Sequence, residues 1–234
     1  HYRKFHLVFG ESLKNPNPVL DDLYKGVADK VENIYKYWYL SELGNQWNRL
    51  VSDELSKDAK LGKLKYQMDF YSSMVKPLVE NRSRVFVIIS DALRYEVGKE
   101  LTQKLLEETK GTATISSIQA VFPSITRFGM AALLPHHKLS LDDKLNSLID
   151  GNPTDSTQNR EKILQSENPG NVAITYKQLL SMKQAEQRER ISNAQVVYIY
   201  HNCIDAIGEE NVTEDQVFAA CEQAINELCN LVKL

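Results

Sequence analysis

The chain has 234 residues, 42% of them hydrophobic, and a formal net charge of −3, with a pI near 6.0. That length can bury one large or two small cores, and the slight acidity excludes a protein that holds nucleic acid through bulk positive charge. No apolar run approaches the ~20 residues of a membrane helix, no signal-peptide pattern opens the chain, and Cys203, Cys221 and Cys229 form no CxxC pair, so a reduced, cytoplasmic protein is expected.

From Asn17 to about Val79 the pattern is helical. Pro18 is placed to open a helix, and Leu20, Leu23, Tyr24, Val27, Val31, Ile34, Tyr35 and Trp38 follow at threes and fours. Gly44 and Gly62 read as breaks, and Pro77 as the approach to a helix end. An aromatic stripe at this spacing is expected to be core rather than a ligand-stacking surface. At Arg84 the composition changes, placing a boundary near Asn81 between a helical region (1–81) and an α/β region (82–234).

Four strand-like runs follow: Val85–Ile89, Thr114–Phe122, Asn171–Thr175 and Ala194–Tyr200. Helical patterns at Leu93–Glu108, Thr126–Leu134, Tyr176–Arg190 and Thr213–Leu234 fill the intervals, and Pro135–Asn171 reads as irregular, with a turn signal at 151–156. Strands alternating with helices predict an α/β fold with a mostly parallel sheet and helices on both faces. Cys221 and Cys229, eight residues apart in the last helical pattern, are expected to pack in the core. Because the chain begins with His1 and ends at Leu234 within a helical pattern, a piece of a longer protein is expected.

The carboxyl ends of the strands carry the candidate chemistry, because open α/β sheets collect ligands there. Val85–Ile89 is an unbroken apolar run of the kind buried on both faces of a sheet, and Asp91 ends it. Asp91 is a ligand at the sheet edge or the cap of the helix that follows. After the second run, Pro123-Ser124-Ile125-Thr126 leaves a hydroxyl at a helix start with Arg127 beside it. That hydroxyl is a nucleophile, if a base or metal activates it, or a helix cap. The last run delivers His201, Asp205 and Glu209, an imidazole and carboxylates suited to a divalent cation or to a solvated acidic loop.

Ser90–Leu101 (SDALRYEVGKEL), Phe122–His136 (FPSITRFGMAALLPH) and Val196–Glu210 (VVYIYHNCIDAIGEE) together resemble the PglZ domain, a branch of the alkaline phosphatase superfamily found in BREX phage-defence systems. The resemblance covers roughly residues 83 to 234, and the preceding helical part resembles its upstream segment more weakly. It implies a phosphatase-like sheet with a two-metal, zinc-dependent (or manganese-dependent) hydrolytic centre. Asp91 matches the first metal-ligand aspartate, Thr126 the nucleophile of a Pro-x-x-Thr pattern, and Asp205 the aspartate of an Asp-x-x-Gly-His pattern. Glu209 stands where that pattern has histidine; His201 compensates for it or stacks in the loop. Arg127 and Arg94 are expected to contact phosphate oxygens.

The same resemblance implies phosphodiester substrates, nucleic acid included, and other phage-defence proteins as partners. The superfamily completes its metal site with an Asp-His-Gly motif on a later strand, and no Asp-His pair occurs in this sequence. Part of the metal site, and part of the sheet, is therefore expected outside this stretch of chain, with weak or absent metal and low activity in the piece alone. The competing expectation is a non-catalytic scaffold that keeps the phosphatase fold and serves a defence complex. A nucleotide-binding P-loop or GxGxxG fingerprint is absent from the sequence.

Overall fold

A computed structural model describes every residue except Asn15, Pro16, Pro18, Ala59, Lys63 and Asn211, and every side chain but theirs and those of Glu11, Leu13, Lys14 and Asp58. The expected helix opening at Pro18 therefore lies outside the described residues. In chain order come α1 (Tyr2–Lys14), α2 (Asp21–Asn33), a π-helical stretch (Ile34–Tyr39), α3 (Leu40–Asp58), a further π-helical stretch (Tyr71–Val75) and α4 (Lys76–Glu80). Then follow β1 (Val85–Ser90), α5 (Tyr95–Glu108), α6 (Thr126–Ala132), β2 (Leu139–Leu141), β3 (Ser147–Ile149), β4 (Asn152–Pro153) and α7 (Thr157–Glu167). The chain continues through β5 (Val172–Thr175), α8 (Tyr176–Ser181), α9 (Gln184–Ile191), β6 (Val196–His201), α10 (Cys203–Gly208) and α11 (Glu214–Lys233). The fold is α/β, as expected.

The chain packs as two compact units, one of residues 1–61, 94–113 and 206–234, the other of residues 62–93 and 114–205. The composition boundary near Asn81 falls inside the second. The first unit is helical. Its core is the inner face of α11, where Phe218, Cys221, Ala224, Ile225, Leu228 and Cys229 recur at threes and fours and are all buried. Both cysteines pack in this core, as their spacing predicted. Thr213 and Gln216 form the capping box that opens α11. Arg3 of α1 is only 4% exposed and pairs with Glu100 of α5 and Glu222 of α11.

The aromatic stripe departs from expectation. Tyr35 stacks on Tyr2 at 3.8 Å, but Ile34, Tyr37, Trp38, Leu43, Trp47 and Leu50 are exposed. The helix runs through Gly44 without a break.

The second unit is built on a parallel three-stranded sheet of order β1-β6-β5. Every residue of β6 is buried, as a central strand of a parallel sheet requires. Val85–Ile89 is not the central strand its sequence suggests: β1 sits at one edge, and Phe86 is exposed. Thr114–Phe122 is not a strand either. Its β-branched residues extend the chain, but among the described residues only Gln119 bridges, in parallel with Tyr66.

Pro135–Asn171 is more regular than expected, since it holds α7 and the antiparallel sheet β2-β3-β4. Asp150 and Gly151, at φ +49° and +84°, make the two-residue turn between β3 and β4; both central residues of such a turn need positive φ. The helix expected over Tyr176–Arg190 is two helices, because Met182 and Lys183 turn extended between them. Gln187 reinforces that break by donating to the carbonyls of Leu179 (2.8 Å) and Met182 (3.3 Å). Asn171, 1% exposed, joins three elements: it accepts from Val196 N–H at 2.9 Å and donates to Leu164 C=O at 3.0 Å.

Candidate active site at the carboxyl ends of β1 and β6

The two strands end in register, with Ser90 opposite His201. The backbone N–H of Asp91 donates to the carbonyl of His201 at 2.9 Å, extending the ladder by one rung. His201 is 1% exposed. Its Nδ1 lies 2.9 Å from the Ser90 hydroxyl, and its ring meets Tyr176 edge-on at 5.1 Å. The histidine is thus a fixed, buried group at the end of the central strand, whichever partner carries the shared proton.

Asp91 does not cap a helix. The helix expected from Leu93 begins at Tyr95, its N-cap is Arg94, and no side chain caps it. Asp91 is half-buried in the turn after β1, where its carboxylate accepts from the N–H of Ala92 at 3.0 Å. Ala92 has φ +59°, a left-handed conformation that costs an L-residue about 1–2 kcal/mol. Asp205 lies in the first turn of α10, half-buried, four residues beyond the end of β6. Adjacent parallel strands therefore deliver Asp91, His201 and Asp205 to one sheet edge; two carboxylates with an imidazole are donor types suited to a divalent cation, but the ligand atoms of these three do not all lie within 4.8 Å of one another.

Thr126 is the first residue of α6 and is exposed. Neither its hydroxyl nor that of Ser124 serves as a cap: the N-cap is Ile125, with no side-chain cap bond. The segment before α6, which includes a cis Phe122-Pro123 bond, is held by Gln67. The Gln67 carboxamide accepts from Val121 N–H at 3.0 Å and donates to Gly129 C=O at 3.0 Å, so one side chain clamps the loop on both sides of Thr126. Arg127 is exposed, and its carbonyl accepts from the Ser147 hydroxyl at 3.1 Å, tying α6 to β3.

Arg94 and Glu209 fall in the other compact unit. The Arg94 guanidinium lies 5.3 Å over the Phe218 ring and 3.3 Å from the Glu96 carboxylate. Glu209 is exposed just past α10.

Behind the sheet edge, Tyr198 and Tyr200 lie two apart on β6, so they share a face. Burial pushes the Tyr198 phenol well above its ordinary pKa. It moves Tyr200 up to about 12, with the Arg160 charge acting in the opposite direction; the Arg160 guanidinium sits 4.7 Å over the Tyr200 ring. Both rings stay neutral at physiological pH.

Sequence reasoning missed Ser90, Gln67 and Tyr176. Ser90 carried a signal, since it precedes Asp91 at a strand end; the other two act through contacts distant in sequence.

No helix among the described residues is long and apolar enough to cross a membrane. Residues 70–234 match the family described as "BREX system PglZ alkaline phosphatase-like domain". The chain is 39% identical over 231 residues to the "Alkaline phosphatase-like protein PglZ" of Bacillus cereus (strain H3081.97), an alignment covering 99% of this chain and 26% of that protein. It is 42% identical over 215 residues to the "Alkaline phosphatase-like protein BrxZ" of Escherichia coli O9:H4 (strain HS), covering 90% of this chain and 25% of that protein. The chain thus spans about a quarter of the length of these curated relatives. With the matched region taking in β1, α6 and β6, the chain belongs to the BREX system PglZ alkaline phosphatase-like domain family.

Proposed function

We propose that the full-length protein is a metal-dependent phosphoester hydrolase, acting on phosphodiesters, within a cytoplasmic phage-defence system of the BREX type. The observation that carries this reading is the paired ending of β1 and β6, with Asp91, His201 and Asp205 arriving at one sheet edge. Asp91 and Asp205 are the carboxylates assigned to hold the cation. His201 is a further candidate, through Nε2 because Nδ1 faces Ser90. Zinc is the expected ion and manganese the alternative, both compatible with oxygen and imidazole donors. A divalent cation bound there would supply Lewis acidity and favour ionisation of a nearby hydroxyl.

In this reading Thr126 Oγ gives up its proton to solvent and attacks phosphorus, forming an O–P bond as the ester O–P bond breaks, and the alkoxide that leaves with the bond's electron pair takes up a proton from solvent to become the alcohol. Water then releases the phosphoryl group from threonine. The absence of a capping bond at Thr126 supports the assignment, because the hydroxyl is not committed to the helix terminus. Arg127, exposed beside it, would contact a phosphate oxygen. Phosphodiesters, nucleic acid included, are the substrate class in this reading, and the partners are other proteins of the defence system.

The test is metal content and hydrolysis of bis(p-nitrophenyl) phosphate by the full-length protein. Near-stoichiometric zinc or manganese is expected, with activity lost in Thr126→Ala and both metal and activity lost in Asp91→Ala. Undiminished turnover by Thr126→Ala would remove the nucleophile assignment. The second reading, a phosphatase-like scaffold in the defence complex, is favoured by Arg94, whose guanidinium is already engaged by Phe218 and Glu96. It predicts no stoichiometric metal and no turnover.

A further inference from the structure

The exposed hydrophobic side chains of α3 are ordered along one side of the helix. Leu40, Leu43, Trp47 and Leu50 follow one another at intervals of three, four and three residues, and each is between 43% and 72% exposed. At about 100° per residue they fall within an arc of about 80°, a stripe roughly 15 Å long. Tyr37 and Trp38, also exposed, adjoin its first end. Glu42, Asn45 and Arg49 occupy the opposite arc. Val51, which borders the stripe, is buried, so the helix is fixed along one edge while its most apolar arc meets water.

An amphipathic helix draws most of its stability from packing its apolar face, and single surface hydrophobics do not line up in one arc. The chemistry of α3 narrows what covers the stripe. Helices that lie on membranes carry an excess of lysine and arginine opposite the apolar face, whereas α3 carries Arg49 and Lys57 against Glu42, Asp53 and Glu54. A second copy pairing through α3 is disfavoured by length. The same spacing next reaches Glu54 and Lys57, both charged. The stripe therefore ends after about one and a half heptads, where a self-standing coiled coil sustains roughly three or four.

A segment of the same polypeptide meets neither objection. The aligned chain is about a quarter of the length of each curated relative, so most of such a protein lies outside the stretch described. His1 and Leu234 belong to the same compact unit as α3, and a segment joined at either end is tethered to the body that carries the stripe. Tethering holds such a segment at an effective concentration of about a millimolar, which lets a short stripe suffice. We infer that in the full-length protein the Leu40, Leu43, Trp47 and Leu50 stripe is covered by an amphipathic helix of the same polypeptide from outside residues 1–234. Trp47, within the stripe, is the anchor of that contact. The surface is independent of the hydrolytic reading.

The test is site-specific photo-crosslinking of purified full-length protein carrying a benzophenone amino acid in place of Trp47. Light should join position 47 to a peptide outside residues 1–234, in a product that keeps single-chain mass on a denaturing gel. No crosslink, a crosslink confined to residues 1–234, or a product of two-chain mass would each overturn the assignment. A second measurement needs no bulky replacement. Leu43→Cys in the full-length protein should react with a maleimide about tenfold more slowly than Asn45→Cys on the opposite arc, as a covered site does, with the labelled peptides assigned by mass spectrometry. Equal rates, or a difference that vanishes on dilution as it would for a second copy, would also sink the proposal.

Discussion

The Ser90 hydroxyl and His201 Nδ1, on facing residues at the carboxyl ends of β1 and β6, lie 2.9 Å apart. This contact makes the imidazole orientation a property of strand pairing. Ser90→Ala should lower stability by about 1 kcal/mol, the net worth of an ordinary hydrogen bond. If His201 binds the cation, metal affinity should fall ~10- to 100-fold, as when a ligand loses its supporting partner. Urea denaturation and competition with a chelating dye measure the two effects, and Ser90→Thr, which keeps a hydroxyl, should restore much of both.

Gln67 supplies the second prediction. Its carboxamide satisfies Val121 N–H and Gly129 C=O, so Gln67→Leu leaves two partly buried backbone groups without their partner. A cost of about 1–3 kcal/mol is expected. Because the clamped segment carries Thr126, the proposed role of its hydroxyl predicts that aryl phosphodiester turnover by the full-length protein falls in kcat with little change in KM. An unchanged kcat in a folded variant would show that the clamp does not position the hydroxyl.

Tyr198 and Tyr200 should answer differently to the same substitution. The Tyr198 hydroxyl donates to Leu133 C=O at 2.6 Å, whereas the Tyr200 hydroxyl is buried beside Arg160 without a hydrogen bond of ordinary geometry among the described residues. Tyr198→Phe should cost about 1–2 kcal/mol, and Tyr200→Phe should be neutral or slightly stabilising, since it removes a desolvated polar atom. Thermal unfolding of the two variants side by side checks the contrast.

The Arg3 cluster predicts an acid-sensitive helical unit. Burial works against ionisation of Glu100, but bonds from Lys4 and Arg3 outweigh it and hold its pKa below the ordinary value. A folded pKa below the unfolded one stabilises fully above the unfolded carboxylate range, near pH ~4.3. That contribution is lost as pH falls through the lower folded value. Arg3→Ala should cost about 1–2 kcal/mol at neutral pH, because Glu100 loses one of its two cations but keeps Lys4, and the Glu222 side chain is 46% exposed to screening solvent. The difference from the parent should shrink in this acidic window, as followed by denaturation at a series of pH values.

What the sequence showed depended on the range of the interactions involved. β6 was legible because six successive residues are buried, and α11 because its apolar residues keep a helical period and Thr213 caps it. β1 was legible as a strand but not as an edge, since an apolar run states what a strand tolerates and not which neighbours it has. Thr114–Phe122 misled because β-branched residues extend the chain with or without a ladder partner. The sheet β2-β3-β4 escaped because strands of two or three residues are too short to show a period, although Asp150-Gly151 is a strong turn signal. Asp91, Asp205 and Thr126 stood out through their motifs. Gln67 did not, because a carboxamide bonding to backbone 54 and 62 residues away leaves no local pattern.

The left-handed backbone of Ala92 has a consequence for anyone who alters this protein. A glycine at that position would relieve the conformation and should raise thermal stability, so selection for heat resistance alone would tend to accept it. The same change would widen the range of directions the preceding carboxylate can take. A library screened by melting temperature would therefore loosen the turn at Asp91 while every folding assay reported an improvement.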